Sequence, residues 1–188
     1  MIIYIRHGDD SDSDPTYAHD PRLTINGRRE AKKKAFSLVK RYGSPLLILC
    51  SPFRRTIQTA KMMKKMCGSK TEIFIDPNLS RYFCTREKCD PDMHYGTESY
   101  NAPIYERWSG FENRINKHIN MIEKKRFRYD NSATVWCITH ALVYKHVART
   151  YQVNIPSYIP FMHHFTLRSR QMPLPKEKRG KKKCKRRK

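Results

Sequence analysis

The sequence predicts an α/β layered domain built on a mainly parallel sheet, and three observations predict it. Short apolar, β-favouring runs alternate with segments of helical period through most of the chain. Residues that start and stop helices stand where those periods change. The length, 188 residues, suits one domain with a single core. Strands that alternate with helices pair in parallel, because each helix carries the chain back across the sheet. In such sheets ligands sit beyond the carboxyl ends of the strands.

The elements follow in order. Met1–Ile5 is a short apolar run that reads as a buried strand, and residues 9–22 are a polar loop carrying two prolines. Thr24 is placed to cap a helix from Ile25 to Tyr42, with Ala31, Ala35, Leu38 and Val39 as its apolar stripe and Gly43 as its stop. Pro45–Cys50 predicts a second strand. Ser51 and Pro52 then read as a cap and a first-turn proline, opening a helix to about Cys67 that Gly68 ends. Glu72–Ile75 is a third strand. Residues 76–103 hold no sustained period and read as an insertion over one end of the sheet. Phe111, Ile115, Ile119 and Ile122 share one side of a helix from Tyr105 to about Lys125. Ala133–Ile138 is a strand, Ala141–Tyr151 a helix, and His164–Arg168 a last strand. Residues 1–170 are expected to form the domain and 171–188 a basic, disordered tail.

Composition limits the functional classes. No apolar run approaches the roughly 20 residues that a bilayer-spanning helix needs, and no membrane partner is expected. The chain reaches its first candidate site residues within seven positions, so no leader is expected and the protein is read as intracellular, cytoplasmic. The six cysteines fit that compartment as reduced thiols. Cys84, Cys89 and His94 offer three soft ligands at loose spacing with no evident fourth, so no metal is expected. The charge is extreme, +22 with 39 basic residues against 17 acidic. Such a field favours anionic partners, whether phosphorylated substrates or nucleic acid. Residues 176–188 are the densest basic run. They suit a solvated arm, and also nucleic-acid tethering or a nuclear address. Oligomeric state is not legible.

The residues that carry chemistry follow three different strands. Arg6-His7-Gly8 follows the first, Ser51-Pro52-x-x-Arg55-x-x-Gln58-Thr59-Ala60 the second, and Thr139-His140 the strand near 133–138, with Leu23-Thr24-x-x-Gly27 opening the first long helix. In this order the set resembles the histidine phosphatase superfamily over about residues 1–150. That resemblance implies a three-layer, phosphoglycerate mutase-like sandwich and a metal-independent, cofactor-free phosphatase. Its substrate would be a phosphorylated small molecule or a phosphoprotein. It implies His7 as the nucleophile that carries a phosphohistidine, with Arg6, Arg55, His7 and His140 holding the phosphate.

The physical chemistry agrees. A phosphoryl group close to a dianion needs fixed cations and donors. Arginine forks supply them, and neighbouring cations keep a histidine neutral and nucleophilic. Arg54 reads as a solvent-facing neighbour of Arg55, and Glu106-x4-Phe111-x2-Arg114 as either a fainter family match or an amphipathic helix with an internal ion pair. His163 and His164 are candidates for the pocket mouth. Asp12 and Asp14 read as loop solvation.

One position departs from the pattern. Mutase-like members of the superfamily carry an acid glutamate in a Leu-x-Glu segment after the third strand, and the matching stretch here, Leu79-Ser80-Arg81, holds arginine. Three readings stay open. Another carboxylate, Asp9 or Asp10 first and Glu106 next, supplies the proton. Alternatively the substrate has a leaving group that needs little acid help, or the protein is a catalytically impaired relative that binds nucleic acid or a partner. The second is supported by Arg6-His7-Gly8-Asp9, Leu23-Thr24-Ile25-Asn26-Gly27 and Ser51-Pro52-Phe53, which are similar to the small bacterial phosphohistidine phosphatases.

Overall fold

The structure is a computed structural model that describes residues 1–11, 20–83, 106–126 and 133–168. The Cys84, Cys89 and His94 group, Asp12, Asp14, and the 176–188 tail lie outside the described residues.

Five strands form one sheet in the order β3-β2-β4-β1-β5. They are β1 (Ile2–Arg6), β2 (Leu47–Cys50), β3 (Glu72–Ile75), β4 (Val135–Thr139) and β5 (His164–Leu167). The first four run parallel, with Ile2 opposite Val135, Leu47 opposite Val135 and Leu47 opposite Glu72, and β5 closes the edge antiparallel to β1. The helices are α1 (Ile25–Tyr42), α2 (Arg54–Lys64), α3 (Trp108–Arg126) and α4 (Ala141–Thr150).

Strand periodicity of two splits the core into two layers. Ile3, Ile5, Ile48, Cys50, Trp136 and Ile138 face α1 and α2, packing on Ala31, Ala35, Leu38, Ala60 and Met63. Ile2, Tyr4, Leu49 and Cys137 face the other way, against Phe111, Ile115, Ile119 and Ile122 of α3 and Val143, Tyr144 and Val147 of α4. The result is the expected three-layer sandwich with a mainly parallel sheet.

Helix α1 matches its predicted bounds, because both ends are chemically specified. The Thr24 side chain accepts from the Gly27 amide, and Gly43 adopts φ 78°, where a side chain would be strained. Helix α2 starts two residues later than Ser51 and Pro52 suggest. Its cap residue is Phe53, whose phenyl ring can accept no cap bond, and the Ser51 hydroxyl is engaged with His140. Asp20 replaces it from a distant loop, both carboxylate oxygens accepting from the Arg54 amide at 2.8 and 3.0 Å. Arg54 is therefore not a solvent-facing residue; it is buried at the helix start, 8% exposed.

The Glu106–Arg114 pair exists, at 2.5 Å, but it does not lie within the helix. Glu106 precedes α3. Arg114 reaches from inside α3 to donate to the carbonyls of Asn78, Ser80 and Arg81, so the pair clamps the segment after β3.

Candidate active site

The carboxyl ends of β1, β2 and β4 bring the three motifs together, as the topology of a parallel sheet requires. His7, His140 and Arg55 are 5, 5 and 6% exposed. The rings of His7 and His140 lie 5.3 Å apart, centre to centre, tilted by 60°.

The structure accounts for the motif residues one by one. Gly8 donates its amide to the Thr59 hydroxyl at 3.0 Å, and that hydroxyl donates to the Arg55 carbonyl at 2.7 Å, joining the turn after β1 to α2. Gln58 accepts from the Leu23 amide at 2.8 Å, which holds the entry to α1. A Cβ at Gly27 would run into the backbone of Asp9, and one at Gly8 would lie 3.0 Å from the Gly27 carbonyl oxygen. Glycine at both positions thus lets the first turn of α1 lie directly on the turn that carries His7.

Hydrogen bonding sets the tautomer of His7. Its Nδ1 lies 2.8 Å from the Gly8 carbonyl oxygen, which can only accept. Nδ1 therefore bears the proton and Nε2 the lone pair. Burial first, then the Arg55 and Arg6 guanidinium groups, hold the ring's pKa well below its ordinary value, so His7 is neutral at pH 7.

His140 has the opposite tautomer. Arg55 approaches its Nδ1 at 3.4 Å and can only donate, while Nε2 lies 2.9 Å from the Ser51 hydroxyl. Burial and the Arg55 charge push its pKa down strongly too. Ser51, read as a helix cap from sequence, is thus the partner that orients His140.

Arg6 and Arg55, the arginines expected to hold phosphate, are held differently. Arg6 donates from Nη1 to the Ile159 carbonyl and stacks its guanidinium 4.1 Å from the centre of the Phe161 ring. Arg55 lies 5.1 Å from the Phe53 ring centre and pairs with Asp10 across 3.5 Å. The Nε of Arg6 is buried without a hydrogen-bond acceptor among the described residues, whereas that of Arg55 is the atom that faces Asp10.

The carboxylates divide. Asp9 is committed to the backbone turn: it accepts from the Ser11 amide at 3.0 Å and the Thr24 hydroxyl at 3.1 Å. Burial works to raise its pKa, but those bonds outweigh it and hold the carboxyl low. Asp10 faces Arg55, and burial raises its pKa against the pull of Arg55 and Arg6. Asp20, which the sequence did not single out, is also pushed up by burial, against the Arg54 amide bond and the charge of Arg55.

His163 and His164 do not join the constellation. The His163 ring bonds the Tyr144 hydroxyl at 2.6 Å, and His164 sits in β5 opposite Ile5. Phe53, Phe161 and the Ile159 carbonyl were also missed; all three act on arginines through geometry that no spacing announces. Among the described residues no group of histidine, cysteine and carboxylate side chains is arranged to hold a metal.

The sequence profile of the histidine phosphatase superfamily (branch 1) matches residues 2–83, which include β1, α1, β2 and α2. No curated protein matches the chain in sequence. Among solved structures, the chain is similar to the ecdysone phosphate phosphatase of Bombix mori, at 16% identity and a TM-score of 0.60, covering 87% of this chain and 86% of that one. It is similar to the protein histidine phosphatase SixA in complex with tungstate, at 20% identity and a TM-score of 0.57, covering 90% of each. It is also similar to the phosphoglycerate mutase of Bacillus anthracis str. Sterne, at 16% identity and a TM-score of 0.57, over 80% of this chain and 78% of that one. These structural likenesses speak for the fold, and the profile match for the motifs within it. Together they show a phosphoglycerate mutase-like fold whose residues 2–83 are similar to the histidine phosphatase superfamily (branch 1).

Proposed function

We propose that the protein is a metal-independent phosphatase that hydrolyses phosphate monoesters or phosphoprotein groups through a phosphohistidine on His7. One observation carries the reading. Beside a histidine whose Nε2 holds a lone pair, Arg6 buries an Nε–H that no described residue accepts, and the guanidinium of Arg55 lies against His140. Buried donors without acceptors cost about 1–3 kcal/mol each unless something binds them, and phosphate oxygens are the acceptors that fit two forks.

In this reading Arg6 and Arg55 hold the phosphoryl oxygens, and Nε2 of His7 attacks phosphorus. The bond to the leaving oxygen breaks with its electron pair. Asp10, whose carboxyl is held above its ordinary pKa, gives that oxygen a proton. Water then cleaves the phosphorus–nitrogen bond, returning the pair to Nε2, and Asp10 takes the proton released. The Gly8 carbonyl keeps the ring oriented through both steps, because Nδ1–H stays bonded to it. His140 positions Arg55 and, like His7, is buried and neutral.

The test is hydrolysis of p-nitrophenyl phosphate and of phosphopeptides by the purified protein beside a His7→Ala control. Activity above the control supports the reading. Activity equal to it on every phosphate ester and on phosphohistidine overturns it.

A second reading is favoured by the charge of +22: a basic module held to nucleic acid through residues 176–188. It requires binding that weakens steeply as salt rises, and salt-insensitive binding or none excludes it.

A further inference from the structure

Arg81 is a cation that the transferred phosphoryl group does not require. Its backbone belongs to the segment after β3, and that segment is unusually well fixed. Arg114 donates to the Ser80 and Arg81 carbonyls at 2.9 and 3.1 Å, and Thr139, the residue before His140, donates to the Leu79 carbonyl at 2.7 Å. Phe83 continues the segment and packs on Phe53 with ring centres 6.0 Å apart.

Phe53 is the hub of this corner. The Arg81 and Arg55 guanidinium carbons lie 5.7 and 5.1 Å from its ring centre, and the His140 ring meets its edge at 5.0 Å. Arg81 thus stands on the same aromatic ring as a phosphate-binding arginine and a site histidine. Its charge is felt there: after burial, Arg55 and His7, it helps to hold His140 neutral.

Arg6 and Arg55 already match the near-dianionic phosphoryl group that His7 would accept. A third guanidinium at this spot cannot protonate a leaving oxygen at neutral pH. It can bind one that already bears charge. Leaving-group chemistry points the same way. An alcohol has a pKa near that of water, about 16, and departs poorly without an acid. A phosphate monoester, with a second pKa of about 6, departs as its own anion.

We propose that Arg81 binds an anionic leaving group, so that the preferred phosphoryl donor is a phosphoanhydride such as a nucleoside diphosphate rather than an ester of an uncharged alcohol. The inference rests on the proposed function and names its substrate class. In the first step Nε2 of His7 forms a bond to the terminal phosphorus. The bridging phosphorus–oxygen bond breaks, and its electron pair stays on the departing phosphate, held by Arg81. Water then attacks the phosphohistidine, the phosphorus–nitrogen pair returns to Nε2, and the proton passes to Asp10. The products are a nucleoside monophosphate and inorganic phosphate.

The experiment measures kcat/KM of the full chain in EDTA for ADP, p-nitrophenyl phosphate and β-glycerophosphate, for the wild type and for Arg81→Glu and Arg81→Lys. The expected order is ADP above p-nitrophenyl phosphate, with β-glycerophosphate lowest. The ratio of ADP to p-nitrophenyl phosphate should fall at least about tenfold in Arg81→Glu, the scale of one charge contact, and stay within about threefold in Arg81→Lys. A wild type that cleaves p-nitrophenyl phosphate but not ADP overturns this inference and leaves the phosphatase reading standing. An unchanged ratio in a folded Arg81→Glu also overturns it. A wild type that cleaves none of the three, like a His7→Ala control, overturns the phosphatase reading and this inference with it. Should Arg81→Glu not fold, the wild-type order and the lysine variant decide.

Discussion

Arg55 is the residue on which most of the site depends, and its replacement by alanine or lysine separates charge from shape. Its guanidinium lies 3.4 Å from Nδ1 of His140 and 3.5 Å from the Asp10 carboxylate, and it is the first charge, after burial, that keeps both site histidines neutral. A unit charge about 4 Å from a phosphoryl oxygen is worth roughly 4 kcal/mol at an effective dielectric of 20. Losing one preorganised donor at a reacting oxygen costs about 2.7–4 kcal/mol, or 10²–10³ in rate. Arg55→Ala is therefore expected to lower kcat/KM on p-nitrophenyl phosphate by about 10²–10³. Arg55→Lys keeps the charge but loses the fork, and about a tenfold loss is expected. The alanine variant should also move the acidic limb of the pH profile upward toward 6.5, though burial keeps it below. The assay is steady-state hydrolysis across pH 4–8, with circular dichroism to check the fold. A folded Arg55→Ala within about threefold of the wild type would refute the reasoning.

Three further outcomes follow from the same geometry. Thr59→Val keeps the buried shape but strands the Gly8 amide, and a loss of about 1–3 kcal/mol is expected by urea unfolding, with a fall in kcat; unchanged stability would show that the Gly8 bond is immaterial. Both site histidines have depressed pKa values in the fold, so stability should be full above pH 6.5 and decline as pH falls below it, by up to about 1.4 kcal/mol per pH unit for each, because the unfolded chain takes up protons that the folded one refuses. Asp10 and Asp20, with raised values, act in the opposite sense but only from near 3.8 upward, and His146, His163 and His164 are depressed too, so the site's share is the part of the decline between pH 7.5 and 5.5 that His7→Ala and His140→Ala remove; a decline unchanged in both variants would refute it. Asp10→Asn should cost about 10²–10⁴ in kcat on an alkyl phosphate and distinctly less on p-nitrophenyl phosphate; equal losses on both would remove Asp10 from proton transfer.

The sequence was informative where structure is set by local chemistry. Thr24 and Gly43 bound α1 to the residue, because a hydroxyl accepting from the amide three positions on and a positive φ are short-range requirements. The apolar, β-favouring runs at β1, β2 and β4 announced buried strands, and in the fold their alternate residues enter two cores. The motif spacing selected Arg55 over Arg54 for the site, and in the fold Arg55 lies beside Asp10 and His140.

What escaped was long-range. Ser51 and Pro52 read as a helix start, yet the serine hydroxyl bonds His140, 89 positions away, and Asp20 caps α2 in its place. Arg54 looked exposed because a lone arginine beside a motif usually is, but it lies buried at the helix start that Asp20 caps. Asp9 and Asp10 were indistinguishable in sequence. The Thr24 hydroxyl and the Ser11 amide occupy the first, while the second turns to Arg55. Tyr4, His118 and Asp76, buried in a chain of bonds at 3.0 and 2.6 Å, had no motif at all and link β1, α3 and the end of β3 beneath the site.

The most direct test of the central claim is to mix the protein with phosphate-labelled substrate, quench in alkali, and map the label. The account predicts acid-labile, alkali-stable phosphate on His7, formed on Nε2 because Nδ1 is bonded to the Gly8 carbonyl, and absent from His7→Ala. Hydrolysis that proceeds with no trapped phosphate on His7, or label on another residue, would contradict it.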